Sequence, residues 1–458
     1  MLFFNNLVIN MNSPTYVPML FHLTSFRRRV LSEDEFICIK SMIAKQEQLD
    51  LFSEDELKLY HNLVDEKQII DTKTLEIVDE YIMNSHKATY NKFYLTTDID
   101  IGIQITQDCN MNCSYCYEKR YLTHRKTITT EMIDSIQTYF EKASEIAGEE
   151  FKVKLIRITG GEPLLNEKTV GLINYCTHKW PSAKLNIQTN GINLLKYYDL
   201  LPLDKVNSFA ISLDGIDNVH LSRRFTEKVD KVVYENIIGG IKRLLMDGHK
   251  VFISTVLDKS NYMSYSSFKD YLEQEGIAGN PNCRLKKSIV TDFNNELGID
   301  TNFNNKSEIL KITEIFYEEF KENSLVFYPG SIELSRKLYR QQNSFVEPSC
   351  FICRVNFFNK NFFAANGKVY ICDCVNSDKG IIGTYFPQVM LDMNTIMDMA
   401  FNLPIFHDEK CRICPYKYLC LGGCPLMARA NNQKAVCGIF ADDELLDNLC
   451  FDTSKRHR

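Results

Sequence analysis

The chain has 458 residues, 45% of them apolar and 24% charged, with a formal net charge of −6. That length calls for two or three domains rather than one core, and the composition excludes a disordered or collagen-like chain. The acidic balance argues against a broad nucleic-acid surface, and no run approaches the ~20 apolar residues that span a bilayer.

Residues 1–98 open with strand-like stretches at 6–9 and 17–23. Helical patterns follow at 33–46 and 54–66, and β-like stretches at 68–71 and 75–78. This is a small α+β module consistent with a winged helix. From about residue 99 short apolar runs alternate with helical patterns. Strands are expected at 101–106, 153–158, 184–188, 209–213, 251–256 and 284–290. Helices are expected at 130–147, 169–178, 232–246, 265–273 and 307–322. The helix at 130–147 places Met132, Ile133, Ile136, Phe140, Ala143 and Ile146 on one face, with Gly148 as its stop. Six βα units imply a parallel sheet with right-handed crossovers, a partial (β/α)6 barrel of TIM type. Beyond about residue 345 the chain is irregular and rich in cysteine. The expected division is 1–98, 99–325 and 326–458.

There are sixteen cysteines. The N-terminus shows no basic leader, long apolar run or cleavage site, so a secreted disulfide scaffold is not expected. In a reducing cytoplasm, the expected location, clustered cysteines bind metal or do redox chemistry. Three groups occur: Cys109, Cys113 and Cys116; Cys350, Cys353, Cys372 and Cys374; and Cys411, Cys414, Cys420, Cys424 and Cys437. Cys38, Cys176, Cys283 and Cys450 stand alone and read as core thiols.

The first group has the spacing C-x3-C-x2-C, directly after the first barrel strand. Three thiolates on one loop can hold three irons of a cubane and leave the fourth open, because a four-iron cluster normally takes four protein thiolates. A structural zinc loop is the competing reading, but such sites are usually closed by a fourth ligand. The next strands end at Gly160-Gly161-Glu162-Pro163, Gln188-Thr189-Asn190-Gly191 and Ser212-Leu213-Asp214-Gly215, with His220 and Arg224 shortly after. Every polar cluster thus falls at the C-terminal end of a strand, the catalytic end of βα barrels. Glycines at 160 and 161 permit close backbone approach to a ligand, and Glu162 offers an acceptor for an ammonium group. Tyr115 and Tyr117 read as packing around the cysteine loop, and His220 as structural.

With these residues the chain resembles the radical S-adenosylmethionine (radical SAM) superfamily over about residues 99–325. The resemblance implies a 4Fe-4S cluster on Cys109, Cys113 and Cys116, its open iron chelated by S-adenosylmethionine (AdoMet). Reductive cleavage would give methionine and a 5′-deoxyadenosyl radical that takes a hydrogen atom from substrate. Gly160, Gly161, Glu162 and Pro163 would bind AdoMet, Glu162 holding the methionine ammonium. Ser212 and Arg224 would lie near its carboxylate, and Thr189, Asn190 and Asp214 near the ribose.

The later cysteines resemble the SPASM extension of peptide-modifying radical enzymes. By that resemblance one auxiliary 4Fe-4S cluster would use Cys350, Cys353, Cys372 and Cys424, with Cys374 as a rival ligand. The other would use Cys411, Cys414, Cys420 and Cys437, making three clusters in all. Asp373 would be a catalytic base or a polar neighbour of the first auxiliary cluster. The extra N-terminal module resembles the leader-binding element of peptide maturases, which adds a peptide strand to a sheet edge. The expected protein is therefore a radical SAM/SPASM oxidoreductase of the peptide-maturase branch. It would modify a ribosomally made precursor by a cross-link or side-chain oxidation, using a flavodoxin- or ferredoxin-type reductant. The alternatives are an anaerobic sulfatase-maturating enzyme that makes formylglycine, and a non-catalytic zinc-binding adaptor.

Overall fold

The computed structural model describes residues 6–9, 19–22, 28–45, 48–66, 98–116, 125–225, 229–290, 360–372, 378–412 and 425–435, with isolated positions between them. The chain forms two compact units. One gathers Met1–Asn91, Asn304–Cys353 and Met399–Arg458, the other Lys92–Phe303 and Arg354–Asp398. Among the described residues no helix is long and apolar enough to cross a membrane.

In the first unit, β1 (Asn6–Ile9), β2 (Met19–His22) and β3 (Arg28–Val30) form an antiparallel sheet in the order β1-β2-β3. Helices α1 (Glu33–Ala44) and α2 (Glu54–Asp65) follow. Each begins with a capping box, Ser32 with Glu35 and Ser53 with Glu56, which satisfies backbone donors that the first helical turn leaves open. Their apolar faces meet around Leu31, Ile39, Met42, Phe52, Leu59 and Leu63. The expected strands at 68–71 and 75–78 fall almost entirely outside the described residues.

The second unit is built on one sheet. Its central strands are β4 (Asp98–Gln104), β5 (Lys152–Thr159), β6 (Lys184–Thr189), β7 (Val206–Ser212), β8 (Val251–Leu257) and β9 (Cys283–Ile289). They pair in sequence order, every pair parallel. Between them run α3 (Thr130–Ala147), α4 (Glu167–Lys179), the short α5 (Leu194–Tyr197) and α6 (Asn218–Arg224), α7 (Val232–Met246) and α8 (Tyr265–Gln274). This is the predicted βα alternation.

One strand face supplies the core: Ile99, Ile101 and Ile103 of β4, Ile187 of β6, Ile211 of β7 and Ile253 of β8 are all fully buried. Burying each such side chain is worth roughly 1.5–3 kcal/mol. Residues of the other face, such as Asn186, Gln188, Ser212 and Ser254, are polar and at least partly exposed. Helix α3 buries Met132, Ile133, Ile136, Tyr139, Phe140 and Ala143 and stops at Gly148 in the left-handed conformation, φ 71°. Ile146, expected on that face, is 56% exposed. It sits at the margin of the apolar stripe in the last turn, whereas Tyr139 fills the core two turns earlier.

The main departure from expectation lies beyond residue 354. Strand β10 (Lys360–Phe363) pairs parallel with the outer edge of β4, and β11 (Lys368–Tyr370), β12 (Ile381–Thr384) and β13 (Met390–Leu391) continue the sheet antiparallel. Residues 360–391, assigned by sequence to the cysteine-rich C-terminal module, thus extend the barrel sheet. Phe363 locks them in place. Its ring meets Tyr139, Phe140 and Tyr385 edge-on, at centroid distances of 5.4, 5.5 and 5.2 Å. The helix expected at 307–322 falls almost entirely outside the described residues.

Candidate active site at the strand ends

The parallel register brings the C-terminal ends of β4 to β8 to one side of the sheet, and the sequence-predicted residues of the core follow them directly. After β4 the chain runs through Thr106 to Asp108 into the cysteine loop. The turn after β5 lies flat against that segment. Gly161 N donates to Thr106 O at 2.7 Å and Glu162 N to Asp108 O at 2.8 Å. A Cβ on Gly160 would stand 2.4 Å from Thr106 O, and one on Gly161 2.2 Å from Asp108 O. The glycines are therefore required by the backbone that leads into Cys109, a close approach within the chain that the sequence reading assigned to a ligand.

Glu162 is fully buried. Its Oε1 accepts from Leu164 N at 2.8 Å and Thr189 Oγ1 at 2.5 Å, and its Oε2 accepts from Asn190 N at 2.7 Å. Burial nevertheless outweighs these donors and pushes the carboxyl up to about 7. The hydrogen bonds come from neutral groups, so the site favours an added cation. Pro163 is buried beside it, and Thr189 and Asn190 are 2% and 6% exposed.

Asn190 also reaches the cysteine loop. Its Nδ2 donates to Asn110 Oδ1 at 2.7 Å and lies 4.0 Å from Cys109 Sγ, while Met111 N donates to the same sulfur at 3.4 Å. Cys109, Cys113 and Cys116 are all free thiols of intermediate exposure. Burial pushes Cys109 up to about 11 and raises Cys113, where the nearby Arg224 opposes it. Among the described residues no three His, Cys, Asp or Glu side chains are gathered as a site for a single metal ion. A cubane spreads its cysteine ligands over separate irons and needs no such convergence. The three sulfurs on one loop, two of them facing N–H donors, and the cation-poor Glu162 alongside are a donor set that fits a cluster with an amine ligand.

The other side of the loop is held by a charge network that sequence reading did not find. Asp214, 2% exposed, follows β7. Arg224 grips it through both oxygens, Nε to Oδ2 and Nη2 to Oδ1, each at 3.0 Å. Tyr115 OH donates to Oδ2, and Val256 N donates to Oδ1 at 3.0 Å. Burial alone would push this carboxyl up, but Arg224 and Arg223 hold it below the usual carboxylate range. Arg223 runs to the end of β8, donating to Asp258 Oδ1 at 2.6 Å, to Ser260 Oγ and to Val256 O at 3.1 Å. His220 is fully buried, with Nδ1 3.2 Å from Asp214 N, and burial holds it neutral, down to about 3. It is a packing residue of this network.

Arg224 and Asp214, expected near AdoMet, are thus brought together and paired with each other, while Ser212 stands half-buried at the end of β7. The residue types gave no signal of the pairing, although Asp-Gly followed by Arg-Arg on a short helix is the pattern that produces it. Cys372 is half-buried just after β11, away from the strand ends, and Cys411 is buried in a short helix of the other compact unit. Cys350, Cys353, Asp373, Cys374, Cys414, Cys420, Cys424 and Cys437 lie outside the described residues.

Comparison with known proteins bears on this arrangement. Residues 103–269 match the family model of the radical SAM superfamily. Among curated proteins, molybdenum cofactor biosynthesis protein 1 of Dictyostelium discoideum is 27% identical over 246 residues, 51% of this chain and 36% of that protein. A probable GTP 3′,8-cyclase of Methanococcus aeolicus is 31% identical over 171 residues, 32% of this chain and 54% of that protein. The chain therefore spans about a third to a half of the curated relatives it matches. Among solved structures, SuiB of Streptococcus suis bound to its precursor peptide SuiA gives a TM-score of 0.50 at 16% identity, covering 93% of this chain and 96% of that one. AdoMet-bound anSMEcpe gives 0.52 at 16% identity, covering 78% and 97%. The cysteine tripod and the glycine-glutamate turn beside it thus lie within the segment, residues 103–269, that matches the radical SAM superfamily, on the parallel sheet that presents both.

Proposed function

We propose that the protein is a radical SAM oxidoreductase that modifies a residue of a ribosomally made peptide precursor. Cys109, Cys113 and Cys116 would hold a 4Fe-4S cluster, and Glu162, with Thr189 and Asn190 orienting it, would receive the methionine ammonium of AdoMet. Once bound and reduced by a flavodoxin- or ferredoxin-type donor, the pair supplies the 5′-deoxyadenosyl radical for hydrogen-atom abstraction. The chain's own part is to fix the loop through Asn190 at one end and Asp214 at the other, and to bury Glu162 where a cation gains most. Ser212 is free to meet a carboxylate at the end of β7. Two auxiliary clusters on the later cysteines, with Asp373 beside one of them, and a cytoplasmic location belong to the same reading.

The observation that carries the peptide assignment is the reach of the fold likeness. It takes in 93% of this chain against peptide-bound SuiB, whereas the likeness to anSMEcpe takes in 78%. A nucleotide substrate is the second reading, favoured by the GTP 3′,8-cyclases among the sequence relatives. The test is an anaerobic turnover of the reconstituted full chain with AdoMet and dithionite. It is offered GTP, a sulfatase-type peptide with Cys or Ser at the target position, or a short peptide encoded beside its gene. Mass change in the encoded peptide alone supports the proposal. Conversion of GTP, or formylglycine in the sulfatase peptide, overturns it.

A further inference from the structure

The geometry points to Tyr115 as a positioning residue that sets where the second half of the cysteine loop stands over the sheet. Tyr115 lies between Cys113 and Cys116. Its hydroxyl donates to Asp214 Oδ2, at the end of β7, and its ring lies under both arginines, 4.9 Å from Arg223 Cζ and 5.7 Å from Arg224 Cζ. Two backbone bonds run alongside, Asn112 N to Arg224 O at 2.8 Å and Ser114 N to Arg223 O at 3.0 Å. The same Arg224 places Nη1 3.9 Å from Cys113 Sγ. The loop is therefore fastened to the last turn of α6, and α6 to the ends of β7 and β8.

Within this assembly the Tyr115 hydroxyl ties the loop by its side chain to Asp214. Charge-assisted bonds of this kind are the strong ones, and an acceptor already fixed by a bidentate arginine cannot move to follow the tyrosine. The phenol length thus becomes a ruler. It fixes the height of Cys113 and Cys116 relative to Glu162, which follows β5 and donates its own N–H to Asp108 O at the other end of the loop. Arg223 Nε, buried and 3.5 Å from Asp214 Oδ2 without a hydrogen-bond partner, is the group that would move in if the phenol left.

This inference rests on the tripod holding the AdoMet cluster, and the experiment separates the two. Tyr115→Phe keeps the ring under the arginines and removes only the hydroxyl. In the reconstituted full chain the reduced cluster is titrated with AdoMet, and its electron paramagnetic resonance signal is followed. The titration midpoint is expected to rise about tenfold or more, the usual scale for losing one hydrogen bond to a charged group. A variant that is merely less stable would lose signal amplitude and leave the midpoint in place, which overturns the inference. An unchanged midpoint at full amplitude does the same while leaving the tripod reading intact. A native chain whose signal ignores AdoMet overturns both.

Discussion

Asn190 and Glu162 meet across the ends of two neighbouring strands, the backbone N–H of Asn190 donating to Glu162 Oε2 at 2.7 Å. The bond is made by backbone, so no substitution at Asn190 removes it except proline. Asn190 Nδ2 meanwhile faces Asn110 and Cys109. One residue thereby couples the carboxylate to the first cysteine.

The first prediction concerns the charge of Glu162. Burial raises its pKa from 4.5 to about 7. The folded state then holds the proton more tightly than the unfolded chain, so the stability it contributes is full below 4.5 and is lost as pH rises to about 7. At about 1.4 kcal/mol per pH unit, the loss is about 3 kcal/mol. Glu162→Gln should flatten this dependence in urea unfolding followed from pH 4.5 to 8. AdoMet affinity should run the other way, rising through pH 7 as the carboxylate ionises, and should lose that rise in the glutamine variant. A native chain whose AdoMet affinity is flat across pH 6–8 contradicts the assignment.

Gly161→Ala should damage the site through backbone contact. Its Cβ would stand 2.2 Å from Asp108 O, a main-chain atom that cannot rotate away. Overpacking of this kind costs about 1–3 kcal/mol. Because the displaced segment leads into Cys109, iron retained by the tripod should fall as well. A variant with native melting temperature and native iron content would count against this account of the turn.

Changing Cys109, Cys113 and Cys116 together to Ala should abolish AdoMet cleavage. Three clusters correspond to about twelve iron and twelve sulfide per chain after anaerobic reconstitution, and the triple variant should retain about eight of each. Release of 5′-deoxyadenosine by that variant, or stoichiometric zinc without labile sulfide in the native chain, would refute the cluster assignment.

Removing residues 1–91 should weaken binding of the full precursor and its turnover. Uncoupled AdoMet cleavage should persist, because every residue of the proposed cluster and AdoMet sites lies beyond residue 100. Affinity by strand addition comes from backbone hydrogen bonds at a sheet edge, and β1 and β3 are edges of the described three-stranded sheet. The check is a calorimetric titration with the precursor, made on a truncated chain whose circular dichroism shows it folded. Native affinity in that chain would leave the N-terminal module with a packing role.

Helix α3 begins and ends at Thr130 and Ala147, as its sequence pattern predicts, because an N-cap threonine and a left-handed glycine bound one long apolar stripe. The central strands were legible for a similar reason. Strands β4 to β8 carry fully buried isoleucine, leucine, valine or phenylalanine at alternate positions, and a polar turn closes each. Strands β10 to β13 were not legible, since two to four residues are too short to show a period and their partners lie far away in the chain. The tripod and the Gly160–Glu162 turn could be read from spacing alone. Asp214 and Arg224 share one connection, but that Tyr115 would join them could not be read, because it follows β4 and meets them only through the fold.

The parallel seat of β10 against β4 has a consequence for how the molecule is made. Asn361 pairs with Ile101 and Phe362 with Gly102, so the edge of β4 emerges from the ribosome long before the strand that covers it. Parallel pairing across such a separation is slow to form, and an uncovered apolar edge is a template for wrong partners. During synthesis the six-stranded core must therefore wait with one flank open, and Phe363 closes it against Tyr139 and Phe140 only near the end. The strand that leads into the cysteines is therefore covered only by residues made more than 250 positions after it.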